Sequence, residues 1–391
     1  MNSRSDIRFV GATWGNPFSA STYSGVPYHL FGELEKMGCL MGRVDLKQTK
    51  MTDLFRGGLD WKRTLIAKEL RRNAFWRYLP ENIDRLSTRM RNPYASLPDH
   101  DAVIQFGVAG MPEKTVPLIA HVEITIETAA STPAFSSSYG FSVRDQKILD
   151  RAIEGEQQFL NRCDLIWTNS SWTAQGFRKQ GVPQEKLWVQ APGCEVVADN
   201  EVHRRWEIPH ILFVGKDWER KGGPLLVESF SILKQRYPTS QLTIIGCNPA
   251  ISDEGIRVLG FLDKQNPEHA ALLENVYQEA TIFCMPSLWE STGIVYMEAA
   301  QHGLPVVMLK GQGREDIFPD SMAIILDRPN CENLASILVQ LASDPVRMET
   351  MGRAGRDYVL KNFTWPVISR RLKERIAHFL KTDQRGTTMR F

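Results

Sequence analysis

The chain reads as an α/β protein of two domains of similar size, each built on a parallel sheet with crossover helices. Three observations predict this. Short apolar, β-branched runs alternate with longer segments of helical period. The alternation comes in two series, joined by the polar stretch EVVADNEVHRRWEIP at 195–209. And 391 residues suffice for two ordinary cores.

In the first series the predicted strands are IRFVGA (7–12), DAVIQFGV (101–108), VPLIAHVEI (116–124), DLIWTN (164–169) and KLWVQAP (186–192). Helices are expected over PYHLFGELEKMG (27–38) and the charged run around 144–163, while 40–100 stays unassigned. The second series holds HILFVGK (210–216), QLTIIGC (241–247), ATIFCMPS (280–287) and PVVMLKG (305–311). At the C-terminus, NFTWPVISRRLKERIAHFL (362–380) is a helix with an apolar stripe, followed by a polar tail.

Composition narrows the function. A net charge of +2 argues against a strongly basic nucleic-acid binder. No apolar run approaches bilayer length, and MNSRSDIRFVGATWG has no apolar leader core, so a cytoplasmic protein is expected. The six cysteines and eight histidines are dispersed, with no CxxC and no HExxH, so no metal site is expected.

In open parallel sheets ligands bind beyond the carboxyl ends of the strands. After HILFVG comes Gly215-Lys216-Asp217-Trp218-Glu219-Arg220-Lys221-Gly222-Gly223, with three cations and three glycines opening a helix. Lysines beside a helix N-terminus suit a diphosphate, although a solvated turn would look the same. After ATIFCMPS comes WESTGIVYMEAAQHGLP. Ser291, Thr292 and Gly293 fall at a predicted helix start, with Glu290 just before it and Glu298 about two turns along. Free N–H groups there favour an oxygen-rich ligand, and paired carboxylates accept hydrogen bonds from sugar hydroxyls. A cap residue and a surface acid are the plainer alternative.

In the first series, His121 and Glu123 stand at alternate positions near the end of a strand, which predicts one shared face. Most such histidines are satisfied core residues. The first strand runs into GATWGNPFSASTYSGVPYHL, a Gly/Ser/Thr-rich loop reaching Gly25 at a helix start. Each domain would then offer a glycine-rich loop, with the ligand between them.

The ordered set ILFVGKDWERKGG, QLTIIG, VLGFLD, CMPSLWESTGIVYMEAAQHGLPVV and FTW resembles the retaining glycosyltransferases of family 4. The polar loop after the first strand, the strand holding His121 and CDLIWTNSSWTAQGFRKQGVPQEKLWVQAPG resemble that family as well. The resemblance implies a GT-B fold, with two Rossmann-like α/β domains facing each other across a cleft. It implies an acceptor domain over 1–200, a donor domain over 201–364, and a helix from 365 returning to the first domain before the tail that ends at 391.

By the same resemblance, Gly215 with Lys216 and Lys221 would hold the donor diphosphate, Glu298 the ribose, and Glu290 the donor sugar. The backbone of Ser291, Thr292, Gly293 and Ile294 would close around sugar and phosphate. Leu259, Gly260 and Phe261 would flank the base, and Gly25 would lie near phosphate and acceptor. Either His121 or Glu123 would approach the reacting carbon.

This chain departs from the family pattern in having Lys216 where arginine is common, and Pro192-Gly193-Cys194-Glu195 where Asn-Gly-Val-Asp is usual. The implied activity is transfer of a sugar, a hexose or relative, from a UDP-, GDP- or ADP-sugar. No cofactor or metal is called for. The acceptor is a carbohydrate, a lipid or a small molecule. An epimerase or phosphorylase of the same fold would instead turn over donor without acceptor, or depend on inorganic phosphate. A catalytically dead binder would hold nucleotide without transfer. A dinucleotide oxidoreductase is disfavoured, because GATWGN is a poor substitute for GxGxxG.

Residues 56–91 carry ten Lys/Arg against four Asp/Glu, interleaved with Trp61, Phe75, Trp76 and Tyr78. A basic helix of this kind rests on an anionic inner membrane face or holds an anionic acceptor. A solvated cationic face over a core stripe is the plainer alternative.

Overall fold

The computed structural model describes residues 7–47, 77–112, 116–132, 146–196 and 204–388. Two compact units emerge, one formed by residues up to Gly193 together with those from Trp365 onward, the other by Cys194–Thr364. Most of the aromatic-rich basic segment, 56–76, lies outside the described residues.

The first unit runs β1 (Phe9–Thr13), a 3-10 turn (Thr22–Gly25), α1 (Val26–Lys36), β2 (Leu40–Asp45), α2 (Pro80–Ala95), β3 (Ala102–Phe106) and β4 (Leu118–His121). Then follow α3 (Ile126–Ala130), α4 (Gln146–Arg162), β5 (Leu165–Thr168), α5 (Ser171–Lys179) and β6 (Leu187–Val189). Its sheet is parallel in the order β2-β1-β3-β4-β5-β6. Strands β1, β3, β4 and β5 are buried along their whole length, as expected of strands covered on both faces. The last helix, Trp365–Thr388, packs on α1, and Trp365 stacks on His29 at 5.8 Å.

The second unit runs β7 (His210–Val214), α6 (Gly223–Arg236), β8 (Gln241–Ile245), β9 (Ile256–Gly260), α7 (Pro267–Glu279) and β10 (Ile282–Cys284). It continues with α8 (Ile294–Gln301), β11 (Val306–Leu309), β12 (Ala323–Leu326), α9 (Cys331–Ala342) and α10 (Pro345–Asn362). The sheet order is β12-β11-β10-β7-β8-β9, all parallel. This is the doubly wound Rossmann order, with its reversal between β7 and β10.

Two local expectations change. β4 ends at His121, and Glu123 lies beyond it in a bend, so the alternation of a strand does not govern Glu123. Glu298 is the fifth residue of α8, about 6 Å along its axis at 1.5 Å per residue, so little more than one turn in.

Candidate functional site

The reversal of strand order in the second sheet places the loops after β7 and β10 side by side. These are the lysine loop and the loop carrying Glu290. They are stitched together by one main-chain and one side-chain hydrogen bond: Leu288 N donates to Arg220 O at 2.9 Å, and Arg220 Nη1 donates to Trp289 O at 2.8 Å. Gly222 sits at φ +76 as the cap of α6, and a Cβ there would lie 2.1 Å from Pro286 O. Only glycine permits this approach.

Within this frame Lys221 Nζ contacts Glu290 Oε2, and Arg220 Nη1 stands 3.7 Å from the same oxygen. Asp217 partners Arg220 at 3.0 Å. Burial, then the neighbouring Arg220 and Arg314, push the Lys221 ammonium down to about 7, against the raising effect of Asp217. Lys216 places its ammonium over the Phe261 ring at 4.7 Å, and Phe261 is exposed. The lysine loop thereby meets the segment Leu259-Gly260-Phe261. Gly260 adopts φ +68, where a Cβ would strike Asn248 at 2.6 Å. Gly215 N donates to Ile245 O at 2.8 Å, holding the loop start beside β8.

Ser291 and Thr292 are buried, and Gly293 caps α8 at φ +74, with Ile294 the first helical residue. The Thr292 Oγ1 is buried without a hydrogen-bond partner among the described residues. Glu298 pairs with Lys264 at 2.5 Å. Burial opposes the Lys264 ammonium, but Glu298 more than offsets it and holds its pKa above the usual lysine value.

In the first unit, His121 is buried against Trp167 (4.5 Å) and Phe106 (4.9 Å), with Nε2 3.0 Å from Asn169 Oδ1. Burial drives its pKa down to about 4, against the raising effect of Asn169, so it is neutral at physiological pH. Gly25 has φ +83 and caps α1, with the His29 ring 3.2 Å from where its Cβ would lie. Glu123 is half-buried, and its backbone oxygen accepts from Thr168 Oγ1 at 3.2 Å.

Sequence reasoning passed over the loop after β11. Arg314 there is wholly buried, donates to Lys310 O at 3.2 Å, and leaves Nε and Nη1 without a partner among the described residues. Gln312, at φ +55, accepts from Glu290 N at 3.3 Å. The signal was available: GQGRED follows a strand end, as the lysine loop does.

Two α/β units, each on a six-stranded parallel sheet, define the class as GT-B. The architecture is similar to sucrose-phosphate synthase from Thermosynechococcus elongatus, with a TM-score of 0.66 at 14% identity, covering 96% of this chain and 100% of that one. Residues 208–344 match the family model described as glycosyl transferases group 1.

Among curated relatives, the chain is 26% identical over 182 residues to a GDP-mannose-dependent monoacylated alpha-(1-6)-phosphatidylinositol monomannoside mannosyltransferase of Corynebacterium glutamicum, covering 42% of this chain and 45% of that one. It is 26% identical over 247 residues to a GDP-mannose-dependent alpha-(1-6)-phosphatidylinositol monomannoside mannosyltransferase of Mycolicibacterium smegmatis, covering 56% and 63%. The matched segments thus span roughly half to three-fifths of these relatives' length.

Proposed function

We propose that the protein transfers a sugar, a hexose or close relative, from a nucleotide-sugar donor to an acceptor hydroxyl, with retention and without a metal ion. The observation that carries this reading is the Lys221–Glu290 contact at the reversal point of the second sheet. It joins a phosphate-type cation to a hydroxyl-type carboxylate beside the N-terminus of α8. The relatives' names point the same way, as donors activated by GDP.

In this proposal Lys216 and Lys221 take the diphosphate, Glu298 the ribose hydroxyls, Glu290 the donor sugar, and Phe261 the edge of the base. Breaking the sugar–phosphate bond puts negative charge on the leaving diphosphate. Fixed cations and the amides leading into α8 stabilise that charge as it develops. The acceptor hydroxyl attacks on the face the diphosphate leaves, and a phosphate oxygen takes its proton. Neutral His121, or Glu123, lies at the carboxyl end of β4 as the first unit's contribution. Replacing Lys221 with alanine tests the reading. Transfer from UDP- or GDP-sugars should fall about 10²- to 10³-fold, the usual cost of losing one charge-stabilising donor, with the melting temperature nearly unchanged because Arg220 remains beside Glu290. Turnover within threefold of the parent protein would refute it.

A further inference from the structure

Glu298 is braced by α7 and by the loop ahead of it. Its Oε1 meets Lys264 Nζ at 2.5 Å, and the hydroxyl of the buried Tyr277 faces the same carboxylate. Burial first, then the negative charges of Glu298 and Glu274, hold the Tyr277 pKa far above its ordinary value. The phenol therefore keeps its proton and meets Glu298 as a donor.

The main chain of Glu298 is held as well. His302, the C-terminal cap of α8, sets Nδ1 2.8 Å from Glu298 O and Nε2 2.9 Å from Glu274 Oε2. Its ring is buried and lies flat on Tyr277, with centroids 4.2 Å apart and planes 9° apart. A carbonyl oxygen and an ionised carboxylate are both acceptors, so the ring satisfies both only as the imidazolium. Three features around it suit a cation: the C-terminal end of a helix, the face of an aromatic ring and a carboxylate. Burial by itself would raise the Glu274 carboxyl, but the hydrogen bond and charge of His302, with Gln278 and Arg204, hold it below its ordinary value.

Arg204 closes the arrangement. It donates to Tyr277 O at 3.0 Å and Ala280 O at 2.8 Å, at the end of α7, and to His302 O at the end of α8. The two helices thus end on one guanidinium, and the His302–Tyr277 stack joins them. A surface acid has no need of such a backing.

We propose that His302, with Glu274 and Tyr277, is the positioning group that makes Glu298 selective for a ribose over a deoxyribose. A carboxylate offers about four lone-pair sites. Lys264 takes one and the phenol faces another, and the remainder match two adjacent hydroxyls as long as the carboxylate does not rotate. His302 fixes the main chain that carries it, and the stack fixes the phenol that stops the rotation. The inference rests on the proposed function, in which Glu298 takes the ribose, and assigns the side chains that make that contact selective.

The test is calorimetric titration of the whole chain with UDP and GDP, their 2′-deoxy forms, and pyrophosphate. The parent protein should prefer the ribose form by about tenfold or more, the worth of a hydrogen bond to a charged group. His302→Ala and Tyr277→Phe should each bring the preference below about threefold while pyrophosphate affinity stays the same. Tyr277→Phe keeps the stack and loses only the hydroxyl, so it carries the test if His302→Ala does not fold. Glu274→Ala should also lose the preference, whereas Glu274→Gln should keep it. A neutral His302 can then donate from Nδ1 to Glu298 O and accept at Nε2 from the glutamine amide. A preference lost in Glu298→Ala but kept in Tyr277→Phe, or lost equally in Glu274→Gln and Glu274→Ala, would overturn this inference and leave the donor reading standing. A parent protein that binds no nucleotide, or binds ribose and deoxyribose forms alike, would overturn the ribose role of Glu298 and this inference together.

Discussion

On the proposed function, the depressed Lys221 pKa makes donor binding depend on pH. In the free protein, burial and the nearby Arg220 and Arg314 hold Lys221 at about 7. A bound diphosphate would supply two or more negative charges and return the ammonium toward the ordinary lysine value near 10.4. Binding above neutrality therefore takes up a proton. Between pH 7 and pH 9 the free lysine goes from about half to about 99% neutral, so affinity should fall by about 50-fold, or about 2.3 kcal/mol at 1.36 kcal/mol per unit. The diphosphate of a nucleotide sugar, esterified at both ends, is fully ionised across that window and contributes no slope. Titration of a UDP- or GDP-sugar at pH 7, 8 and 9, in buffers of different ionisation enthalpy, reads both the affinity and the proton. Lys221→Arg stays charged throughout and should flatten the curve. A flat profile in the parent protein, or an equal slope in Lys221→Arg, would refute the reasoning.

Two further substitutions, with a third as control, test the frame that holds the candidate site. Glu156 is wholly buried, accepts from Ile126 N at 2.8 Å, and is raised by burial to about 8 from 4.5. Its folded pKa is raised, so its stabilising contribution is complete below pH 4.5 and is lost as pH rises toward 8. Glu156→Gln should match the parent at pH 4.5 and be more stable by about 3–4 kcal/mol at pH 7.5, read as a melting-temperature gap that widens with pH. A gap constant with pH would count against it. Gly222→Ala must relieve both a left-handed backbone and a Cβ 2.1 Å from Pro286 O. It should cost about 2–3 kcal/mol and weaken nucleotide binding, whereas Gly38→Ala, with φ +67 but open space around it, should lose only stability.

What could be read from the chain follows from burial. The strands recognised directly, such as β1, β3, β7 and β11, are buried along nearly their whole length and read as mostly apolar runs. The three that escaped assignment, β2, β9 and β12, all lie at sheet edges. LMGRVD carries Gly42 and Arg43 and is mostly half-buried, and IRVLG and AIIL are likewise only partly covered. An edge strand has no partner on one side, so its sequence is not held to a continuous hydrophobic run. The site was legible in pieces: the lysine loop and the Ser-Thr-Gly start of α8 fall where their residue types suggest. The pairing of Lys221 with Glu290 was not, because β8 and β9 intervene between their strands in the chain and adjacency depends on strand order.

That strand order also fixes the two loops of the candidate site against each other. β7 and β10 pair directly, so the loops leaving them are held by the same sheet. Leu288 N to Arg220 O, Arg220 Nη1 to Trp289 O, and the Gly222–Pro286 approach then fix one loop against the other. On the proposed function, Glu290 keeps Lys221 in place until a phosphate replaces it as the lysine's partner. Electrostatic stabilisation is greatest when the charges are fixed before the reaction begins. Glu290 therefore has two consecutive partners in this scheme: the lysine before the donor arrives, and the sugar hydroxyls once the diphosphate has taken the lysine over. Arg220, 3.7 Å from the same carboxylate, remains to balance its charge during the exchange.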